Sequence, residues 1–539
     1  MNIAGFMVVG SGCSAAMAAQ TLVDAGADVT MVDVGIDNPE YHSQVPEKDY
    51  IDIRRNEIDQ HRYLIGQNAE GVVWGHVGKG AQITPPRRHM IEKVDTYLPV
   101  RSSTFSPVES LGYGGLGIGW GLQCWEFSDA DIRAAGLDET RMRDAYEVVA
   151  QRVGISATKD DASPYTIVDL KTYQPPVNMD RNHQRILNRY QAHKNYFNKR
   201  GFVLGRTPLA LLTEDMDGRE KYAYRDMDYY TDNGRSAWRP WVTVDQLKGS
   251  PNFTYVGGHL VTRFVERDGF VEVECLTIPQ HEKRVLRCRT LVLAAGALGS
   301  ARVVLRSMGE SHTKLPLLCN PYSFIPCVQL SMVGKEVERK KLGLAQLSLI
   351  LDEERGKSGF SIASLYSYQS LMLFRLMGQV PFLGFSDARH IMRYLMSGLV
   401  IMGVHHPDKR SSKKYLQLVG DASSPVGDHL DASYVLDQAE KDEFVRRERK
   451  YIAAGRRLGI YATKRINPGY GASIHYAGTL PFSDRDQPLT LSPSGRLHGT
   501  QDVYVADSSG FNYLPACGLT FSLLANAHIT AQKALKHER

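Results

Sequence analysis

The chain has 539 residues, of which 43% are hydrophobic and 23% are charged, as in globular proteins with a large core. The formal net charge of +5 is small for this length, and the sequence has neither a dense lysine and arginine run nor about 18 consecutive apolar residues, so we expect no nucleic-acid partner and no transmembrane segment. The seven cysteines show no C-x-x-C spacing, which predicts a reducing, cytoplasmic compartment and no metal site.

The first predicted element is a strand–helix–strand unit at the N-terminus. Residues 5–9, GFMVV, predict a short buried strand, and residues 16–26 have helical character. Residues 28–33, DVTMVD, predict a second strand that ends at Asp33. The turn between the first strand and the helix, residues 10–15, has the pattern G-x-G-x-x-A, which is typical of dinucleotide-binding turns.

A dinucleotide-binding turn requires a small residue at each of three positions for a different physical reason. Gly10 permits the tight turn, Gly12 lets the backbone approach a pyrophosphate, and Ala15 allows the helix to pack closely on the strand. The free N–H groups at the start of the helix favour a negative charge. Asp33, 21 positions after Gly12, can accept a hydrogen bond from a ribose hydroxyl. The regular alternation of strands and helices stops near residue 36, which favours FAD over NAD.

The middle of the chain predicts a glycine-rich segment followed by many strands. Residues 110–127 contain six glycines, so the backbone there can pass close to a flat ring or a phosphate. Residues 252–278 alternate like an antiparallel hairpin, and residues 289–307 predict a strand, a turn and a helix. Residues 314–368 are rich in strand-like runs, whereas the apolar segments within 370–406 predict buried helices.

Three features follow one another near the C-terminus. Residues 472–482 place a histidine in a turn of small residues, residues 495–509 predict a strand that ends at Asp507, and residues 514–535 predict a loop that enters a helix. Together with VVGSGCSAAMAA, VTMVDVG, GYGGLGIGWG and LVLAAGALGSARVVL, in this order, they give a sequence that resembles the glucose–methanol–choline (GMC) flavoprotein oxidoreductases. The order of the blocks, and no single block, carries the resemblance.

The resemblance implies a mixed α/β fold with two parts. One is a Rossmann-like FAD-binding domain, and the other is a substrate-binding domain built on a mostly antiparallel sheet flanked by helices. We assign residues 1–135, 205–305 and 465–539 to the discontinuous FAD-binding domain, and residues 136–204 and 306–464 to the substrate-binding domain.

The resemblance also implies residues for the cofactor and for the chemistry. The positions expected to bind FAD are Gly10, Ser11, Gly12, Ala15, Asp33, Gly114, Gly115, Val261, Asp507 and Ser508. His475 matches the active-site histidine of the family in the setting H-x-x-G-T. A neutral imidazole is suited to accept the hydroxyl proton of an alcohol while the carbon-bound hydrogen leaves as a hydride to flavin N5.

The sequence departs from the family pattern at Gly518, 43 positions after His475, where the family places a second histidine or asparagine. Glycine has no side chain to hold the substrate oxygen, and Asn512 and Tyr513 are the nearest polar candidates on the substrate side. The expected function is oxidation of a small or medium-sized alcohol, with O₂ or another external electron acceptor. Two alternatives stay open: a flavin-fold enzyme with non-oxidative, lyase-like chemistry, and a flavin-binding electron-transfer subunit.

Overall fold

The structure, a computed structural model, describes residues 3–37, 48–65, 85–224, 235–339, 342–367 and 384–538. Its β-strands are β1 (Ala4–Val9), β2 (Val29–Val32), β3 (Val100–Arg101), β4 (Phe202–Arg206), β5 (Phe253–Val256), β6 (His259–Arg267), β7 (Phe270–Thr277), β8 (Lys283–Leu293), β9 (Leu315–Pro316), β10 (Leu318–Cys319), β11 (Tyr322–Val328), β12 (Ala345–Leu351), β13 (Ser361–Ser367), β14 (Leu399–His405), β15 (Asp408–Lys409), β16 (Lys414–Gly420), β17 (Asp428–Tyr434), β18 (Tyr461–Ala462), β19 (Tyr476–Ala477), β20 (Val503–Val505) and β21 (Tyr513–Leu514).

The α-helices are α1 (Cys13–Asp24), α2 (Tyr50–Asn56), α3 (Arg62–Ile65), α4 (Val94–Tyr97), α5 (Asp129–Ala134), α6 (Glu139–Val153), α7 (Ser163–Thr166), α8 (Arg181–Ala192), α9 (Lys194–Asn198), α10 (Pro240–Leu247), α11 (Gly296–Met308), α12 (Phe385–Leu395), α13 (Gln438–Leu458) and α14 (Thr520–Glu538). Within the ranges that the structure describes, no helix is long and apolar enough to cross a lipid bilayer.

The first sheet has seven strands and is built on the N-terminal strand–helix–strand unit. Its order is β5–β2–β1–β8–β7–β6, and β20 also pairs with β8. β5, β2, β1, β8 and β20 run parallel, whereas β6 and β7 form antiparallel pairs. The apolar sequences of β1 and β2 fit strands that lie inside such a sheet, and α1 packs against α14 beside them. The carboxyl ends of the parallel strands therefore meet at one edge, where ligands bind in sheets of this kind.

The second sheet has six strands in the order β18–β11–β14–β13–β12–β4, and every pairing is antiparallel. Side chains of α8 and α13 share a buried apolar cluster with one face of this sheet. The prediction of a mixed α/β fold, with a Rossmann-like unit and an antiparallel second sheet flanked by helices, is confirmed. The domain boundaries stay a prediction.

The helical prediction for the apolar segments within 370–406 is wrong at its C-terminal end. Residues 368–383 lie outside the described part, and α12 covers Phe385–Leu395. Leu399–His405, however, form β14, which pairs with β11 on one edge and with β13 on the other. Apolar runs of this length do not distinguish a buried strand from a buried helix, and here the β-branched residues favour the strand.

Two short strand pairs connect the second half of the chain to the C-terminal segment. β10 pairs with β19, where Cys319 lies opposite Tyr476. β15 pairs with β21, where Asp408 lies opposite Leu514. The first pair brings the chain after Cys319 beside the segment that contains His475, although the two are distant in sequence.

A buried ion pair fixes the start of the glycine-rich segment against α11. Both side chains are almost entirely buried, with exposed fractions of 1% for Arg302 and 8% for Glu109. Two guanidinium nitrogens of Arg302 donate to the two carboxylate oxygens of Glu109 at 2.6 and 2.9 Å, and Nη2 also donates to the carbonyl oxygen of Leu98 at 3.0 Å. This two-point pairing holds both charges in place beside the cavity described below.

We expect Arg302→Met to lower the free energy of unfolding by about 3–5 kcal/mol, because the Glu109 carboxylate is then buried without its partner. The double variant Arg302→Met/Glu109→Leu removes both charges and should lose less stability than the single variant. Thermal unfolding of the flavin-free protein measures both effects. A single variant that is as stable as the double variant would contradict the assigned role of the pair.

Candidate active site

A cavity of about 350 Å³ lies where β1, β2 and β8 end, between the first and the second sheet. Its walls come from both sheets, from the glycine-rich segment and from the C-terminal segment. The predicted site residues that line it are Gly10, Ser11, Gly12, Asp33, Gly115, Val261, His475, Asp507, Ser508 and Gly518. The predicted residues outside its wall are Ala15, Gly114, Asn512 and Tyr513. Residues far apart in the sequence thus meet in one place.

The first turn presents backbone N–H groups to this cavity. Gly10 has a φ of +99°, and a Cβ built there would lie 3.0 Å from the carbonyl oxygen of Ala294, so only glycine fits. α1 begins at Cys13 after Gly12, and no side chain caps its N-terminus. A Cβ built at Gly12 meets nothing closer than an oxygen at 4.0 Å, so this residue faces open space. Ala15 is fully buried inside α1 and packs rather than binds.

Asp33 directly follows β2 and lines the cavity. Its Oδ2 accepts hydrogen bonds from the hydroxyl of Ser11 and, at 3.3 Å, from that of Tyr255. Burial raises the pKa of Asp33 to about 6, whereas these two hydrogen bonds lower it in part. The carboxylate is therefore a half-buried acceptor at the position where the sequence predicts contact with a ribose.

The glycine-rich segment packs directly on the first turn. The backbone N–H of Gly114 donates to Oγ of Ser11 at 2.9 Å. A Cβ built at Gly115 would lie 3.2 Å from Cα of Gly12, so the two backbones touch. Gly115 lines the cavity, whereas Gly114, with a φ of +105°, makes the turn behind it. The density of glycine is thus explained by close backbone contact.

α11 and the segment after β20 complete this side of the cavity. The carboxylate of Asp507 accepts from Oγ of Ser300 and of Ser509, both at 2.5 Å, and burial raises its pKa. Ser508 donates its hydroxyl proton to the carbonyl oxygen of Tyr476 at 2.6 Å. The side chains of Asp507 and Ser508 thus both form hydrogen bonds within the protein, and these bonds connect the C-terminal segment to its neighbours. Val261 of β6 adds an apolar, buried wall.

This side of the cavity fits the FAD that the sequence predicts. α1 and α11 both begin at the cavity wall, and Gly12 and Gly296 face open space there, since a Cβ built at Gly296 meets no atom within 4 Å. The N-terminus of α1 and these glycine backbones suit a pyrophosphate, whereas the N–H of Gly296 at the start of α11 interacts with the Asp507 carboxylate. The carboxylate of Asp33 suits a ribose hydroxyl, and Val261 suits an apolar ring face.

His475 lies at the other side of the cavity, with part of its ring exposed to it. Its Nδ1 is 3.0 Å from Oδ1 of Asn320. Burial lowers the pKa of His475 to about 4, so the imidazole is neutral near neutral pH. The nitrogen that Asn320 does not contact, Nε2, is therefore the one that a substrate can reach.

Asn320 determines which nitrogen of His475 carries the proton. Its Nδ2 donates to the carbonyl oxygens of His406 at 2.8 Å and of Pro515 at 2.9 Å, so its amide orientation is fixed. Its Oδ1 can only accept, and Nδ1 of His475 must therefore be the donor. Nε2 is left with a free lone pair, which is the form that a proton acceptor requires. The sequence contains no periodic signal at Asn320, and our prediction missed it.

Gly518 lies beside His475, as its predicted position requires. A Cβ built at Gly518 would be 3.4 Å from the ring of Trp125 and 3.9 Å from Cε1 of His475. The ring of Trp125 thus borders the space into which a side chain at 518 would extend. Asn512 and Tyr513 do not extend into this space beside His475. Nδ2 of Asn512 donates to the carbonyl oxygen of Phe482 at 3.1 Å, and Tyr513 pairs with Lys409 in β15.

The second sheet supplies the remaining wall beside His475. The side chains that it presents are polar or aromatic: Tyr322 of β11, Ser364 and Tyr366 of β13, and His405 of β14. Gly403 makes room for Tyr322, since a Cβ built there would lie 3.0 Å from the tyrosine oxygen. His405 was not predicted. The doublet of histidines that ends the run LVIMGVHH was visible in the sequence, but no flanking motif supported a site there.

Comparisons with known proteins add one structural finding. No protein-family model and no curated protein matches the sequence. Among solved structures, the chain is similar to pyridoxine 4-oxidase from Mesorbium loti, with a TM-score of 0.57 and 14% sequence identity over 99% of each chain. The two proteins thus share a fold along nearly their whole length.

In the described part of the chain, no group of three or more His, Cys, Asp and Glu side chains could hold a metal ion.

Proposed function

We propose that this protein is an FAD-dependent oxidoreductase of the GMC type that oxidises the CH–OH group of a small-molecule alcohol. The observation that carries the proposal is the position of His475. Its Nε2 has a free lone pair at the wall of a cavity whose opposite side has the features of a dinucleotide site. The shared fold with pyridoxine 4-oxidase, an oxidase by its name, supports the proposal.

The residues that would hold FAD belong to the first sheet and its loops. The N-terminus of α1 would bind the pyrophosphate, and Asp33 would bind the ribose. The glycine-rich segment at Gly115 would lie along the cofactor. Bound FAD would supply a two-electron acceptor. The alcohol would lose the hydrogen on its carbon together with the electron pair of that bond, and it would also lose its hydroxyl proton. A carbonyl group is then left.

The hydroxyl proton passes to Nε2 of His475. The imidazolium that results keeps its Nδ1–H donated to Oδ1 of Asn320, so the positive charge forms against an oriented carbonyl dipole. The same hydrogen bond holds the ring in one orientation before the proton moves. His475 therefore acts as the general base, and Asn320 acts as a positioning residue that fixes its tautomer.

An anaerobic screen tests this function. The purified protein is reconstituted with FAD and mixed without oxygen with a panel of alcohols, sugars, sterols and pyridoxine, and the absorption spectrum of the flavin is followed. We expect at least one alcohol to bleach the oxidised flavin spectrum and to yield its aldehyde or ketone. Readmitting air then tells whether O₂ accepts the electrons, because an oxidase forms hydrogen peroxide.

Other results of the same screen would identify another function. A protein that binds no flavin after reconstitution would contradict the proposal and both flavin-based alternatives. Cleavage of a substrate with no change in the flavin spectrum would indicate the lyase-like chemistry. A flavin that no alcohol reduces but that a redox protein or dye reduces would indicate an electron-transfer subunit.

The pH dependence of flavin reduction follows from the pKa of His475. The base must be neutral, and burial lowers its pKa from 6.5 to about 4, so the active form is lost only as the pH falls through about 4. We expect the second-order rate constant for reduction to be constant from about pH 5 to 8. Stopped-flow measurements with brief pH jumps avoid acid unfolding. A loss of rate centred near 6.5 would contradict this prediction, because it would indicate an ordinary, solvated imidazole.

A further inference from the structure

A second imidazole, that of His405 on the second sheet, lies beside His475. The rings of His405 and His475 are stacked, with their centroids 5.5 Å apart and their planes at 26°. Both rings line the same cavity. His475 belongs to the C-terminal segment, whereas His405 ends β14 in the centre of the antiparallel sheet. Two residues from separate elements thus place two imidazoles at the wall of one cavity.

Packing holds His405 in one orientation. The ring of Tyr322 lies on one side, with centroids 4.5 Å apart and planes at 33°, and the ring of His475 lies nearby at 5.5 Å. Tyr322 is directly opposite His405 in the register of β11 and β14. An imidazole packed against two rings has little freedom to turn, so its nitrogens keep fixed positions.

The two nitrogens of His405 have different surroundings. Nδ1 is buried and has no hydrogen-bond partner among the described residues. Nε2 is therefore the nitrogen through which this partly exposed ring can reach the cavity. An unpaired N–H buried away from water is rarer than an unpaired acceptor, which favours a bare Nδ1 and a proton on Nε2. His405 then presents an N–H donor to the cavity, and His475 presents an acceptor.

The surroundings of His405 keep it neutral. Burial lowers its pKa well below 6.5, and the neighbouring His475 and His406 lower it further. Tyr322, which packs on His405, has a raised pKa and therefore stays uncharged. An imidazolium at His405 would bury an Nδ1–H without an acceptor among the described residues, whereas that of His475 keeps Oδ1 of Asn320 as acceptor, so His405 is not suited to be the base and stays a donor.

We propose that His405 is a second catalytic residue, whose Nε2–H donates a hydrogen bond to the hydroxyl oxygen of the substrate while Nε2 of His475 takes the hydroxyl proton. This inference rests on the function proposed above. The oxygen gains negative charge as its proton leaves, and an oriented donor stabilises that charge. His405 keeps its own proton throughout, so the atoms and electrons balance as given above, and the same hydrogen bond then holds the carbonyl oxygen of the product.

The assignment gives the missing side chain at Gly518 a specific replacement. Gly518 lies on the C-terminal segment beside His475, and His405 approaches His475 from the second sheet. The donor is thus supplied by a different element of the fold.

The test compares two substitutions of His405. His405→Phe keeps an aromatic ring packed against Tyr322 and His475 but has no N–H group, and we expect the limiting rate constant for flavin reduction to fall about 10²–10³-fold. His405→Gln keeps an N–H donor, and we expect it to be at least about tenfold faster than His405→Phe. His429→Phe is the matched control, because His429 is a buried strand histidine outside the cavity wall. It should leave the rate constant unchanged.

A second measurement does not depend on turnover. Nuclear magnetic resonance of protein labelled with ¹⁵N in histidine, without FAD, gives the tautomer of each ring, and the signals lost in His405→Phe assign His405. We expect a neutral ring with its proton on Nε2 at neutral pH. A proton on Nδ1, or equal rate constants for His405→Phe, His405→Gln and the unaltered protein, would overturn the inference.

The outcome also separates this inference from the proposed function. If alcohols reduce the flavin and His475 is required but His405 is not, the function stands and the role of His405 is wrong. If no alcohol reduces the flavin of the unaltered protein, the function is wrong, and the role of His405 falls with it.

Discussion

We expect His475→Gln to reduce the rate constant for flavin reduction by alcohol about 10²–10⁴-fold, which is the usual contribution of a positioned general base. The amide of glutamine can still meet Oδ1 of Asn320 but cannot accept a proton near neutral pH. The flavin content should not change, because His475 lies on the opposite side of the cavity from the first turn and Asp33.

Stopped-flow mixing with an alcohol that reduces the unaltered protein measures this effect, and the absorption of bound flavin reports the cofactor content of each preparation. The unfolding temperature of the flavin-free variant serves as the control for folding. A variant that is reduced at the original rate would exclude His475 as the base, even if the protein proves to be an alcohol oxidoreductase.

The second large effect concerns the first turn, where we expect Gly12→Val to abolish stable FAD binding and to change the stability of the flavin-free protein little. A Cβ at Gly12 meets no protein atom closer than 4.0 Å, and the backbone there has an ordinary φ of −69°. The added Cβ therefore fits the flavin-free fold, and the valine methyl groups that extend from it would compete with a pyrophosphate at the N-terminus of α1. Loss of two charge-assisted hydrogen bonds weakens binding at least about 100-fold.

Gly10→Ala is the matched control for this variant, because it lies in the same turn and should show the reverse pattern. Its φ of +99° and the 3.0 Å approach to the carbonyl oxygen of Ala294 make any side chain strained in the fold itself. We expect a lower unfolding temperature already without FAD. Titration with FAD and thermal unfolding measure both variants. Equal losses of stability would show that Gly12, too, serves only the fold.

The sequence predicts the first turn well because the signal is local. Gly10, Gly12 and Asp33 lie within one strand–helix–strand unit, where glycine positions and strand ends are visible from neighbouring residues. The structure places all three at the cavity. The prediction of His475 depended on a short turn motif together with the order of distant blocks, and the structure places this residue at the same cavity.

Asn320 and His405 could not be predicted in this way, because their roles depend on long-range pairing. Asn320 contacts a residue 155 positions away, through the pairing of β10 with β19. His405 reaches the cavity only because β14 is a central strand, whereas its apolar run predicted a helix. Asn512 and Tyr513 were candidates through their closeness to Gly518 in sequence, but the pairing of β21 with β15 directs this segment away from the cavity.

The parallel pairing of β1 has a consequence for how the chain is made. Phe6 in β1 pairs with Thr290 in β8, and β8 pairs in turn with β20, where Leu291 lies opposite Val503. A ribosome must therefore synthesise the chain as far as Thr290 before β1 has its second neighbour, and as far as Val503 before β20 can join the sheet. Pairings of such long sequence separation form slowly and leave apolar strands exposed meanwhile. The first turn, residues 10–15, is thus synthesised long before β8 and β20, and the sheet that positions it is completed only when those strands join.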